Sequence, residues 1–229
     1  MTMPTHRKRT AFVSSCSQPT EPGLTGFSIS QMVGYYARVT NPENQYNTMS
    51  MPKLLDFLVR QKHWSPFQMV NVNIGVTIDR SIAHQLLRHS SIPIQETSQR
   101  YRAIADIEPF TWEARLTGAT NRQGSLDAED NGLQHVWVER QMVVWNAAIE
   151  AYLWAIEQDI APECARAVLP EGMTPTTMYL NGTLRSWIHY LDQRLDSHAQ
   201  KEHQELAQAI RAAMIENSPD LEAILPKGN

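Results

Sequence analysis

The sequence has little of what builds disulfide frameworks or zinc sites. Its 229 residues include only two cysteines, Cys16 and Cys164, which lie far apart and outside any CxxC spacing. This indicates neither a disulfide framework nor a zinc cluster. The two closest pairs of histidines are each five residues apart, whereas a helical zinc site needs histidines one helical turn apart with a glutamate beside them. No metal site is predicted.

Glycine-rich nucleotide loops are also absent. The ten glycines form neither GxGxxG nor GxxxxGK[ST], and no GxSxG is present. A Rossmann loop, a P-loop and a serine-hydrolase elbow are thereby excluded. The net charge of -4 argues against a nucleic-acid partner, because such proteins usually carry a basic surplus. Any anion site must be a local cluster of arginines.

Long apolar runs are missing as well. No run approaches the length that spans a bilayer, and no apolar stretch of signal-peptide type follows the basic N-terminus MTMPTHRKRT. The sequence thus predicts a soluble protein with no membrane segment, located in the cytoplasm, or in the host cytoplasm if it is virus-encoded. With 42% hydrophobic and 19% charged residues, the composition is globular. We expect residues 1–24 to be a flexible tail and residues 25–229 to form a single domain.

Hydrophobic periodicity predicts helices around a small sheet. Alternating apolar residues from Val70 to Ile78 predict one strand, and TPTTMYLNG predicts another. Asp79 and Thr183 are expected N-caps, the first for a helix running through DRSIAHQLLRHS, in which Gln85 and Arg88 would share a face. Further helices are predicted near 28–38, 51–61, 127–158 and 197–217, with a variable connection over 105–126. The fold class is α+β, a small, mainly antiparallel sheet flanked by long helices.

The most informative segment is RHSSIPIQETSQRY, from Arg88 to Tyr101. It places two arginines close to other polar side chains, and Pro93 prevents a single continuous helix. These residues are Arg88, His89, Glu96, Ser98, Gln99 and Arg100. Planar, forked guanidinium donors suit phosphate. The segment therefore favours a pocket for a phosphorylated small molecule; the alternative is a charged helix end followed by a polar loop.

Other arginines, among them Arg166, Arg185 and Arg194, stand at the ends of predicted elements. Each alone would be an ordinary surface charge. Together with the arginines of the RHSSIPIQETSQRY segment, they indicate a site for a nucleotide and a second anionic cofactor.

At these residues the chain resembles the flavin-dependent thymidylate synthases. The signature of that family, R-H-R-x2-S-x4-S-x-R, is matched at Arg88, His89, Ser98 and Arg100. The resemblance continues through KHWSPFQ, CARAVLP and LRSWIHYLDQRLDSHAQKEHQELA, in the family's order, and covers roughly residues 25–215.

The resemblance implies a homotetramer with active sites at subunit interfaces, each holding FAD, a pyrimidine deoxynucleoside monophosphate and a folate. NADPH would reduce the flavin, and methylenetetrahydrofolate would supply a one-carbon unit to C5 of dUMP, giving dTMP. No protein nucleophile attacks the pyrimidine in this scheme.

The family's site residues carry over by position. Arg194 would be catalytic, lying against the uracil carbonyl and stabilising negative charge on the ring. The residues implied for the deoxynucleotide are Gln85, Arg88, Glu96, Ser98, Gln99, Arg100, Arg166 and Arg194. Those implied for FAD are Asn71, Arg88, His89, Ser90, Glu96, Thr183, Arg185 and His189.

Several positions depart from the family pattern. They are Gln68, Met69, Ser90, Pro93, Thr183 and His189, and the polar groups they lose belong to the flavin and folate side. Two alternatives therefore stay open: a related flavin- and folate-dependent methylation or hydroxymethylation of dCMP or dUMP, and a catalytically silent nucleotide-binding relative. Retention of Arg194 favours uracil, because the amino group of cytosine would leave an arginine poorly paired.

Overall fold

The structure, a computed structural model, describes residues 6–101, 108–118, 124–128 and 130–228. These residues contain six strands and seven α-helices, besides short 3-10 helices and turns. The strands are β1 Thr10–Cys16, β2 Asn71–Asp79, β3 Ile94–Glu96, β4 Arg115–Thr117, β5 Ser125–Asp127 and β6 Pro175–Thr183. The helices are α1 Ile29–Ala37, α2 Met51–Arg60, α3 Arg80–Leu86, α4 Asn131–Glu157, α5 Pro162–Ala165, α6 Leu184–Arg194 and α7 Lys201–Asn217.

The chain divides into two compact units. The first consists of Met1–Arg9, Thr77–Leu86 and Glu96–Thr177, as far as these ranges are described. The second consists of Thr10–Val76, Leu87–Gln95 and Met178–Asn229, with the same restriction. The assignment of residues 25–229 to a single domain stays a prediction.

Four strands form one sheet, in the order β1-β2-β6-β3, and β4 pairs with β5 in a separate antiparallel ribbon. In the larger sheet, β2 and β6 run antiparallel: Leu184 donates to the carbonyl of Val70, and Arg80 at the other end donates to that of Thr174. The predicted α+β class with a small antiparallel sheet is confirmed.

The alternation predicted for β2 is confirmed by burial. Val72, Ile74, Val76 and Ile78 are buried, whereas Asn71 on the opposite face is exposed. Such a period of two places every second side chain in the core.

Trp187 on α6 fastens that helix to β2. Its indole Nε1 donates to the carbonyl of Val72 over 3.0 Å, and the ring is fully buried. A Cβ at Gly182 would lie 2.7 Å from this nitrogen. Because such a contact is too short, only glycine allows the end of β6 to approach the indole this closely.

The helix predicted after Asp79 is shorter than expected. The Asp79 carboxylate caps α3 by accepting from the Ile82 amide over 3.1 Å, as predicted. However, α3 ends at Leu86, and the chain turns so that the Ile92 amide donates to the His89 carbonyl over 3.0 Å. Arg88 and His89 therefore lie beyond the helix, and the shared helical face expected for Gln85 and Arg88 is wrong.

The expectation of a flexible tail over residues 1–24 is also wrong for part of that range. Residues 10–16 form β1, and the following Ser17 donates to the carbonyl of Asn71 over 2.9 Å. Arg9 makes two bonds to one oxygen of Asp79, of 2.7 and 2.9 Å. Both side chains are buried, so this ion pair anchors the chain ahead of β1.

Between β3 and α6, one predicted helix is confirmed and two short strands were not predicted. The long predicted helix is α4, capped by Asp130, and it carries apolar side chains that are exposed in a single chain. The connection predicted over 105–126 lies partly outside the described residues, but β4 and β5 within it were not foreseen. Among the described residues, no helix is long and apolar enough to cross a membrane. The predicted location stays a prediction.

Candidate functional site

A cavity of about 750 Å³ opens in the second unit, beside α6 and the turn that follows α3. Its described lining contains two arginines and two histidines but no carboxylate. A volume of this size is typical of cofactor pockets. The lining residues are Gln68, Arg88, His89, Ser90, Ser91, Thr183, Arg185, Ser186, His189, Tyr190 and Gln193.

The cap of α6 fixes one wall of this cavity. The Thr183 hydroxyl accepts from the Ser186 amide over 3.2 Å, as predicted for an N-cap. The Ser186 hydroxyl in turn donates to the carbonyl of Ser91 over 3.1 Å. The start of α6 is thus joined to the turn that presents Arg88 and His89. Arg185 and His189 follow one helical turn apart and share the cavity face.

His189 is held against an aromatic ring. Its imidazole lies 4.8 Å from Trp64, centroid to centroid, with the planes inclined by 66°. Burial lowers the pKa of His189, the nearby charge of Arg185 lowers it further, and Asp192 opposes the shift. His189 is consequently neutral at physiological pH, so the positive charge on this wall comes from Arg185.

Arg194, at the C-terminal end of α6, contacts the other histidine of the cavity. Its Nε donates to Nε2 of His89 over 3.0 Å. Burial lowers the pKa of His89 to about 4, and the charge of Arg194 contributes to the same shift. The pKa of Arg194 is lowered chiefly by burial and also by the charge of Arg88. The positive charges of Arg88 and Arg194 therefore oppose each other here, and an anionic ligand would relieve this repulsion.

A buried polar pair lies behind His89. The Tyr190 hydroxyl and Nε2 of His203 are 3.1 Å apart, and both side chains are almost completely buried. Burial raises the pKa of Tyr190, so the phenol stays protonated. The ring of His89 packs edge to face on Tyr190, at 5.0 Å between centroids and 73° between planes.

A second group of predicted residues lies in the first unit. Arg100 pairs with the Glu163 carboxylate over 2.9 Å, and Nε of Arg166 donates to the Glu163 carbonyl over 3.4 Å. Ser98 accepts from the Arg100 amide over 3.3 Å. Gln99 is buried, and its amide nitrogen has no hydrogen-bond partner among the described residues. An unpaired buried donor is costly unless a ligand or partner satisfies it.

Glu96, also in the first unit, belongs to a charged network. Its Oε1 accepts from Arg80 over 2.7 Å and from the Thr176 hydroxyl over 2.8 Å. Arg80 also donates to Glu171 over 3.0 Å. These contacts compensate the charge of Glu96 within the protein and fix its carboxylate. Gln85 lies on α3 in the same unit, partly exposed.

The structure therefore brings together most of the residues predicted for FAD. Six of them line the cavity: Arg88, His89, Ser90, Thr183, Arg185 and His189. Asn71 is not among its described lining residues, and Glu96 lies in the first unit. Their roles as ligands of FAD stay predictions.

Five lining residues are not among those predicted to contact FAD. Ser186, Tyr190 and Gln193 are spaced four and three residues apart along α6, next to the stripe formed by Arg185 and His189. That helical spacing was the available signal. Gln68 lies in the short 3-10 helix Ser65–Met69 and Ser91 in the turn after α3. Both segments are too short for a periodic pattern to reveal which way a side chain points.

Comparison with known protein families identifies the class of protein to which this fold and this cavity belong. The chain belongs to the family described as thymidylate synthase complementing protein, whose profile matches residues 26–220. The resemblance seen in the sequence is thereby confirmed.

Two relatives match over most of their length. The flavin-dependent thymidylate synthase of Synechocystis sp. is 41% identical over 194 residues, which is 85% of this chain and 88% of the relative. The “Probable flavin-dependent thymidylate synthase” of Paramecium bursaria Chlorella virus 1 is 39% identical over 203 residues, with coverage of 88% and 93%. A solved structure of the UMP/dUMP methylase PolB from Streptomyces cacaoi, bound with 5-Br dUMP, matches with a TM-score of 0.78 and 25% identity over 95% of each chain.

Proposed function

We propose that this protein is a flavin-dependent methyltransferase. It transfers a one-carbon unit from methylenetetrahydrofolate to C5 of dUMP, giving dTMP, with FAD reduced by NADPH. The single observation that carries the proposal is the cavity of the second unit, which contains Arg88 and Arg185 but no carboxylate among its described lining residues. The names of the relatives and the pyrimidine nucleotide bound to PolB point the same way.

The residues of this cavity fit FAD. The guanidinium groups of Arg88 and Arg185 would hold its phosphates, since no described carboxylate in the lining neutralises them. His89, Ser90, Thr183 and His189 supply neutral polar contacts around them. When bound, the flavin supplies the reducing equivalents that turn the one-carbon unit into a methyl group.

The group in the first unit suits the nucleotide. Arg100 and Arg166 both contact Glu163. A ligand phosphate that displaced Glu163 from these contacts would therefore meet two guanidinium groups. The buried, unpaired amide nitrogen of Gln99 would donate to an acceptor of the same ligand. We propose that these residues, with Gln85, Glu96 and Ser98, bind the deoxynucleotide.

Arg194 is proposed to act on the base. Its terminal nitrogens have no hydrogen-bond partner among the described residues, so they are available to a carbonyl oxygen of uracil. Negative charge grows on that oxygen as C5 becomes a nucleophile, and a fixed guanidinium stabilises it. Cytosine offers an amino donor at position 4, so uracil is the better match.

An assembly of several copies, a homotetramer in the family pattern with active sites at subunit interfaces, is also proposed. Its support is the exposed apolar stripe along α4, a surface that single soluble chains seldom leave open to water. Light scattering on the purified protein measures the mass directly, and a monomer would contradict this part of the proposal. The stripe consists of Leu133, Val136, Trp137, Val143, Val144 and Trp154.

The activity is tested with purified protein, FAD, NADPH and methylenetetrahydrofolate. Release of tritium from C5-labelled dUMP is followed beside NADPH oxidation, with UMP and dCMP as competing substrates. We expect release with dUMP and a bound flavin visible by absorbance. Nucleotide binding with neither tritium release nor NADPH oxidation would show a catalytically silent relative instead.

The cavity is tested by a pair of matched variants. Arg185→Gln should weaken FAD binding by roughly tenfold or more, because it removes a charged donor to phosphate. Arg60→Gln is the control, since Arg60 is exposed on α2 and pairs with Asp56 one turn away. Equal FAD affinity in both variants would place the flavin elsewhere.

A further inference from the structure

The contact between His89 and Arg194 assigns a proton as well as a position. A guanidinium nitrogen can only donate, so the 3.0 Å bond from Nε of Arg194 requires a lone pair on Nε2 of His89. The imidazole must then be neutral, with its single proton on Nδ1. Burial, which disfavours the imidazolium form, agrees with this assignment.

We propose that His89 is a positioning residue for Arg194 and works as a neutral hydrogen-bond acceptor. The inference rests on the proposed function, because it takes Arg194 to be the group that stabilises charge on the pyrimidine. Beyond the proposed function, the inference states which residue orients Arg194 and why that residue is a histidine.

The hydrogen bond to His89 is made by the one nitrogen of Arg194 that can fix the plane of the guanidinium group and leave its end free. Nε lies nearest the chain in the guanidinium group, so fastening it limits rotation of the plane, while both terminal nitrogens stay without a partner among the described residues. They are left to form a fork directed at an oxygen. Preorganised donors of this kind act without reorganising during the reaction.

Because His89 is neutral, it also leaves the positive charge of Arg194 uncompensated. An aspartate or glutamate in the place of His89 would orient Arg194 equally well, but it would cancel most of the positive charge on the guanidinium. The described residues give Arg194 no carboxylate partner. The imidazole therefore orients Arg194 and leaves its charge available for the transition state.

His89 is itself supported from behind. Its ring lies 5.0 Å from Tyr190 and 6.2 Å from His203, centroid to centroid. Tyr190 is fixed by its 3.1 Å bond with His203 in the core. This buried pair belongs to the same unit as His89 and Arg194, and it keeps the imidazole from turning away from Arg194.

Two substitutions separate the acceptor from the ring. His89→Phe keeps a ring against Tyr190 but removes the acceptor, whereas His89→Gln removes the ring and keeps an oxygen that can accept. At saturating FAD we expect His89→Phe to lower kcat for tritium release from dUMP roughly 10- to 100-fold. The KM for dUMP should change less, about threefold, because the charge develops in the transition state. His89→Gln should recover kcat to within about fivefold of the unsubstituted protein.

A structural measurement accompanies the kinetics and needs no activity. Crystal structures of both variants without nucleotide should show the Arg194 guanidinium in its original place in His89→Gln and displaced in His89→Phe. Equal kcat in the two variants, or an unmoved Arg194 in His89→Phe, would overturn the inference. If the unsubstituted protein binds no flavin and releases no tritium, the proposed function fails instead, and the two crystal structures still decide whether His89 holds Arg194.

Discussion

The arginines predicted to bind ligands are held in opposite ways in the two units of the chain. In the second unit, Arg194 is bonded to a neutral imidazole, and the described lining of the cavity beside it contains no carboxylate. In the first unit, Arg100 is paired with the Glu163 carboxylate over 2.9 Å, and Arg166 donates to the carbonyl of the same residue.

The difference has consequences for what each group can bind. Guanidinium charges without a carboxylate repel one another, and an anionic ligand relieves that repulsion when it binds. A guanidinium that is already paired must exchange its carboxylate for the ligand, which weakens binding but favours ligands with a stronger or bidentate anion. This difference agrees with the proposal of a bound cofactor in the second unit and an exchanging phosphorylated substrate in the first.

Arg9 supplies the extreme case of a paired arginine and the largest expected effect. Its side chain and that of Asp79 are only 4% and 0% exposed. Arg9→Met should cost about 3–5 kcal/mol of unfolding free energy, because it leaves a buried carboxylate without its counterion. Urea denaturation followed by circular dichroism at fixed protein concentration measures this loss.

The control for Arg9→Met is Arg60→Met, which also removes an arginine paired with an aspartate. The Arg60–Asp56 pair is 66% and 58% exposed, so its loss should cost less than about 1 kcal/mol. Similar costs for the two variants would show that burial does not decide what a paired arginine contributes.

Glu163→Gln tests directly how a paired arginine of the first unit binds phosphate, and its expected effect is smaller. It removes the carboxylate that competes with phosphate for Arg100, so the affinity for dUMP should rise roughly two- to fivefold, as expected for an ion pair about half exposed. Calorimetric titration with dUMP, and with deoxyuridine as the ligand without phosphate, measures the change.

A matched variant checks that the effect of Glu163→Gln is local. Glu139→Gln makes the same charge change on α4, where Glu139 contacts His135, and it should leave the affinity for dUMP unaltered. A lower affinity in Glu163→Gln would mean that Glu163 orients Arg100 for the phosphate and does not compete with it.

The second-unit cavity could be predicted from the sequence better than the first-unit group. Thr183 as a cap and the one-turn spacing of Arg185 and His189 are local properties of a helix, and α6 reproduces both. The pairing of Arg100 with Glu163 joins residues 63 positions apart. No local pattern reports such a contact, since tertiary packing alone creates it.

The missed elements share a physical reason. Strands β3, β4 and β5 have three residues each, too few to show a period of two. No residue of β1 is fully buried, so its sequence lacks the apolar alternation that made β2 obvious. The end of α3 at Leu86 was missed because the polar residues after it are compatible with either a helix or a turn.

A similarly small effect is expected in the pH dependence of stability. The pKa of His89 is about 4 in the folded protein and 6.5 in an ordinary environment. Below pH 6.5 the unfolded chain therefore takes up a proton that the folded chain refuses, and stability is lost progressively as the pH falls towards 4. Because His89 is only about half buried, solvent screening reduces the loss to about 1 kcal/mol.

His89→Gln isolates this contribution. Glutamine does not titrate, so the variant should lose about 1 kcal/mol less than the unsubstituted protein between pH 7.5 and pH 5 in urea denaturation. Other histidines, including His189 with its lowered pKa, contribute equally to both proteins and cancel in the difference. An identical loss in both would mean that His89 is protonated as readily in the folded protein as in the unfolded chain. A protonated His89 could not accept from Arg194, and the contrast between the two groups of arginines would then lose its basis.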